Sequence, residues 1–98
     1  MYIILTSKPG QYRTDPADGM RPVEQYDYLF CGRKRAVFVL AETTGEGKVI
    51  ITEEGEGSAV NHVPAKFLPR FPTIEEARRE LEALSGFGSL DIELVRVL

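Results

Sequence analysis

The sequence predicts an α+β fold: a mostly antiparallel sheet of about five strands, in the order β-β-β-β-α-β, with one main helix packed on one face. Three observations carry this. Short runs of β-branched and aromatic residues alternate with Gly- and Pro-bearing turns over the first sixty residues. One amphipathic stretch after Pro72 carries a helix-start signal and a glycine stop. One further apolar run, Leu90 to Val97, follows that helix.

Taken in order, Met1 to Thr6 reads as the first strand. It is apolar at nearly every position and is stopped by Lys8-Pro9-Gly10. Gln11 to Glu24 carries Pro16, Gly19 and Pro22 and shows no period of 2 or 3.6, so it reads as a long connection. Tyr26–Cys31 and Ala36–Ala41 read as a hairpin, the densest aromatic and apolar segment of the chain. Gly32-Arg33 forms its loop, with Gly32 supplying the positive φ of a type II′ turn. A four-residue loop, pairing Cys31 with Ala36, gives the same faces. Lys48 to Thr52 is the next strand, set between glycine-rich acidic turns, and completes an antiparallel meander with the hairpin.

Ser58 to Pro72 is broken by Pro64, Pro69 and Pro72 and reads as irregular, with room for one helical turn over Pro64 to Leu68. Thr73 to Ser85 is the helix. Thr73 and Glu76 form a capping box, and Gly86 is the stop. Ile74, Ala77, Leu81 and Leu84 make its apolar stripe; Glu75, Arg78, Arg79 and Glu82 make its wet face. At about 18 Å it matches the roughly 20 Å of a six-residue strand. The first and last strands, being the most apolar, are expected to be central neighbours.

The 98 residues suit one domain, 1–98. A charged fraction of 28% against 43% hydrophobic is that of an ordinary globular chain and excludes wholesale disorder. The one cysteine rules out an intramolecular disulfide and fits a reducing compartment, so a cytoplasmic location is expected. The N-terminal apolar run is too short for a signal peptide, and nothing approaches the length of a membrane span. Residues 1–41 hold six basic and four acidic residues, and 42–98 hold six and eleven. That acidic excess argues against binding nucleic acid over the whole surface.

No catalytic motif stands out, and the sequence implies no cofactor and no metal. Catalysis is left open, with the weight against it. Cys31 reads as a small core residue and His62 as a loop residue. The acidic set Glu42, Glu46, Glu53, Glu54 and Glu56 lacks the pattern of a calcium loop. Its neighbouring glycines lack the lysine and helix of a phosphate loop.

Attention therefore falls on the hairpin. By strict alternation, Tyr26, Tyr28 and Phe30 share a face with Val37 and Val39, while Leu29, Cys31, Ala36, Phe38 and Leu40 share the other. Both faces are apolar, and one helix covers only one. The tyrosine face is the expected open one, because a tyrosine hydroxyl tolerates water. Three things could lie on it: the Val60–Phe71 segment, a second copy of the chain, or a different partner. Tyr26, Tyr28 and Phe30, together with the basic run Arg33, Lys34 and Arg35, thus form the candidate binding surface of a small accessory or interaction protein. An alternative is an anion-binding pocket, or a minor enzyme, built from His62, Lys66 and Arg70 beside the tyrosines. A third is single-stranded nucleic acid stacked on the aromatic residues, for which the basic run is too short and no RNA-recognition signature is present. A basic run at a hairpin tip also has a plain role in keeping a sheet edge from aggregating.

Overall fold

The computed structural model describes residues 1–16, 19–44, 46–55, 57, 59–86 and 88–98. Asp18, Gly45, Glu56 and Ser58, which belong to connections discussed above, lie outside them. Among the described residues the fold is α+β with antiparallel sheets: seven strands in two sheets, and one α-helix. The strands are β1 (Tyr2–Ser7), β2 (Tyr12–Pro16), β3 (Met20–Phe30), β4 (Arg33–Thr43), β5 (Lys48–Glu53), β6 (Val60–Pro64) and β7 (Ile92–Arg96). A short 3₁₀ turn, Ala65–Phe67, and the helix α1, Ile74–Ser85, lie between β6 and β7. The first sheet runs β1-β4-β3-β7 and the second β2-β5-β6.

The single five-stranded sheet expected from sequence is thus replaced by two. Both of the extra strands hide in segments that read as irregular. β2 shows no alternation of its own and is held by its neighbours. The Thr14 N–H donates to Ser7 Oγ at 2.9 Å, and Thr14 Oγ1 donates to the Thr6 carbonyl at 2.6 Å. β6 is an edge strand that ends on Pro64, where a missing N–H costs the ladder nothing. The 3₁₀ turn after it falls inside the expected Pro64–Leu68 turn. β5 does not extend the hairpin into a meander; it pairs with β2 and β6. β1 and β7 are not neighbours either, but opposite ends of the first sheet. Ile3, Ile4 and Leu5 of β1 are apolar in succession because β1 lies between two packed layers, whereas Val95 on β7 is left exposed.

The helix covers one face of the first sheet. Its Ala77 and Leu81 pack with Ala36, Phe38 and Leu40 of β4, with Tyr26, Tyr28 and Leu94 at the margin. The second sheet covers the opposite face: Ile3, Leu5 and Ala41 meet Val49, Ile51, Val63 and Leu68. β4, buried from both sides, is the shared wall. The expectation that the Val60–Phe71 segment folds back over the sheet holds on both faces: Val63 and Leu68 lie on the face away from the tyrosines, whereas Phe71 packs into the cluster that holds Tyr26 and Tyr28.

That reversal of faces comes from a β-bulge. The turn is Cys31-Gly32, with φ of 51° and 76°, so Phe30 pairs with Arg33. This is the positive-φ pair of a type I′ turn, one residue earlier than the expected loop. The shift alone would leave the expected faces intact. Arg35, however, is extra: Leu29 pairs with Lys34, but Tyr28 pairs with Ala36. One inserted residue exchanges every side chain beyond it. Tyr26 and Tyr28 therefore point at the helix beside Phe38, and the Tyr28 and Phe38 rings meet edge to face at 6.0 Å. Val23 is a second extra residue, between the pairs Pro22–Ala41 and Glu24–Leu40, while Glu24 shares the helix-side face of Tyr26 and Tyr28 by simple alternation.

Cys31 is correspondingly not a core residue; it is exposed at the turn. Among the described residues it is the one non-glycine at positive φ, a conformation that asparagine adopts with less strain. Cys31→Asn is expected to raise stability by about 0.5–1 kcal/mol, read as a higher urea midpoint with an unchanged slope.

The helix follows its sequence closely. The Glu76 N–H donates to Thr73 Oγ1 at 3.2 Å, and Gly86 ends it at φ 69°. Two positions differ: Ser85 rather than Leu84 is buried, and Arg78 leaves the expected wet face for the sheet.

Candidate functional site

The hairpin tip is built by the tight turn. It leaves Phe30, Cys31, Arg33, Lys34 and Arg35 exposed at one end of the molecule. Lys34 Nζ lies 3.4 Å from Asp27 Oδ1, a buried oxygen that makes no hydrogen bond. Among the described residues neither Arg33 nor Arg35 has an ion-pair partner, so the tip carries two uncompensated positive charges.

β7 adjoins the tip through the pair Phe30–Ile92 and forms one end of the first sheet. The Cys31 N–H bonds to the Asp91 carbonyl and the Val97 N–H to the Gln25 carbonyl, both at 2.8 Å. In an antiparallel ladder, bonded and non-bonded positions alternate. The odd-numbered residues of β7 therefore bond inward to β3, while Leu94 and Arg96 turn their N–H and C=O groups to the free edge. Exposed apolar side chains gather here: Phe30, Leu90, Val95 and Val97. The second sheet's apolar cluster takes no residue from β7, so Val95 at 39% exposure lies on a part of that face outside it.

Behind β7 sits a buried carboxylate. Glu24 is 3% exposed. Arg78 of α1 grips both of its oxygens, Nε lying 3.0 and 3.1 Å away and Nη2 closing on Oε2. The Tyr26 hydroxyl donates to Oε1 at 2.6 Å, and Arg96 Nη2 approaches Oε2 at 3.7 Å. The Arg78 hydrogen bonds hold the Glu24 carboxyl below its ordinary pKa against the opposing effect of burial, and the Tyr26 hydroxyl adds to the lowering. Burial, followed by the bond to Glu24, pushes the Tyr26 hydroxyl up. The cluster ties β3, α1 and β7 together, and two guanidiniums share one carboxylate.

Tyr26 and Tyr28 are half-buried under the helix, so the candidate surface loses its two tyrosines and keeps Phe30, Arg33, Lys34 and Arg35. His62 lies on β6 opposite Ile50, on the row of the second sheet that alternates with the core residues Val49, Ile51 and Val63. Lys66 is exposed in the 3₁₀ turn, its Nζ 5.4 Å from the Phe67 ring centre, and Arg70 is exposed beyond it. Both sheets separate His62 from the tyrosines, so the shared shallow pocket expected from sequence does not form. What the sequence reading missed is Glu24, Arg78 and Arg96. The signal for Glu24 is a carboxylate two residues before the tyrosines, in alternation with them.

Compared with protein-family models, curated proteins and solved structures, the chain has no match among any of the three. No described helix is long and apolar enough to cross a membrane.

Proposed function

We propose that residues 1–98 act as one non-catalytic docking domain of the cytoplasm, an accessory protein that holds another protein along the hairpin tip and the free edge of β7. The observation that supports this is the row of exposed apolar side chains on and beside β7, on both of its faces. Phe30, Leu90, Val95 and Val97 surround an unpaired strand edge and adjoin a basic tip. An open edge offers main-chain hydrogen bonds for affinity, and alternate side chains for specificity. Natural proteins usually blunt such an edge. This one is short and carries Glu93 and Arg96, but it keeps Val95 and Val97 exposed.

The test is selection of extended peptides from a random library on the intact domain. Selected peptides should slow amide exchange in 92–96 and bind at least about tenfold more weakly to Val95→Lys, a surface change expected to alter stability by no more than about 0.5 kcal/mol. Protection falling on β6 or on α1 alone, with undiminished binding to Val95→Lys, would sink the proposal. Sedimentation at two concentrations separates the self-associating version, in which the partner is a second copy.

A further inference from the structure

The charges on β7 say what kind of strand its edge accepts. This deepens the docking reading above and rests on it. Along the edge the residues alternate between faces: Ile92, Leu94 and Arg96 toward the helix layer, Glu93 and Val95 toward the other. Arg78 already takes both oxygens of Glu24, leaving Arg96 at 3.7 Å with its side chain 55% exposed. The cluster therefore holds one guanidinium charge more than its carboxylate answers. Glu93 is exposed and, among the described residues, has no ion-pair partner.

A second copy does not satisfy these charges. Two copies joined edge to edge by a two-fold axis keep their faces aligned, so directly opposed residues must come from the same face. Centring the pairing on Leu94 sets Arg96 against Ile92 and Glu93 against Val95. Centring it on Val95 sets Arg96 against Leu94 and Glu93 against Val97. Centring it on Glu93 sets that carboxylate against its own copy. No such register brings Glu93 opposite Arg96.

We infer that the β7 edge is specific for an antiparallel strand of a different protein, with the pattern acidic, apolar, apolar, basic, apolar. Its acidic residue lies opposite Arg96 and its basic residue opposite Glu93. The apolar residues face Val95, Leu94 and Ile92. Opposite charges directly across a ladder attract and like charges repel, so the pattern fixes both direction and register.

Two capped synthetic peptides test this. One contains Glu-Val-Leu-Lys-Ile and the other its charge-swapped form Lys-Val-Leu-Glu-Ile, each titrated onto the intact domain with exchange protection as the site readout. The first should bind roughly tenfold or more tightly than the second, with protection in 92–96. A hybrid with glutamate at both charged positions should prefer Glu93→Lys over the unaltered protein, a rescue that a merely structural Glu93 would not produce. Equal binding of both peptides at β7 would overturn the charge code while leaving the docking reading intact. Binding of neither peptide, with library peptides still protecting β7, would overturn the code too. No peptide of any kind at β7 would remove the docking reading itself.

Discussion

Glu24→Ala is expected to destabilise the fold by about 3 kcal/mol, a drop of roughly 12–24 °C in melting temperature for a domain of this size. The variant loses the carboxylate that α1, β3 and β7 share, together with the bond from the Tyr26 hydroxyl. The effect stays at the low end for a broken buried pair because the guanidiniums left behind can turn to water: the side chains of Arg78 and Arg96 are 41% and 55% exposed. Glu24→Gln keeps the volume and still accepts hydrogen bonds, so it should lose less. The pH dependence has a definite sign. The folded-state pKa of Glu24 is lowered. The stability it contributes is therefore present above the unfolded value of about 4.3 and is lost as pH falls through the folded value. Urea midpoints of the native protein and Glu24→Gln should differ fully at pH 7 and converge well below pH 4. A constant gap across that range would mean that the carboxylate charge is not what holds the cluster.

Leu40→Ala is expected to cost about 3–4 kcal/mol. Leu40 has no solvent exposure, stands between Ile4 of β1 and Glu24 of β3, and meets Ala77 and Leu81 from the helix. Its neighbours are anchored in three elements, so little collapse into the vacated space is possible. Leu84→Ala is the internal control. Leu84 belongs to the sequence-predicted stripe but is 62% exposed, so its loss should stay within about 0.5 kcal/mol. Equal costs at the two leucines would place the helix one turn of its face away from where it is described.

The helix was legible because its start, stripe and stop are local: Thr73, Glu76, Ala77, Leu81 and Gly86 each act within four residues of their partners. The four apolar strands before it were legible as segments, but their partners were not. Pairing β5 with β2 depends on Thr14 being held to β1 by side-chain hydrogen bonds, and no periodicity records that. The tyrosine face was lost to Arg35, since alternation counted through a bulge gives the wrong sign from that residue on. Glu24 alternates onto the same face as Tyr26 and Tyr28, so its place beside the tyrosines was legible but its inward direction was hidden by the same bulge at Arg35. Of the candidate surface, Phe30 and the basic run lay at the exposed tip as expected, because turn residues stay at the surface wherever the register falls.

The paired bulges also bear on how this hairpin can vary among descendants of one ancestor. Val23 and Arg35 sit on opposite strands and bracket the block Glu24–Tyr28 against Ala36–Leu40. Each is the unmatched member of its ladder, so losing Arg35 removes a kink without exchanging inside for outside. A gap at that position changes the length of the strand and the charge of the tip but leaves its faces as they are. A gap between Glu24 and Tyr28 does not, because it would expel the carboxylate from its arginines and turn the tyrosines out from under the helix.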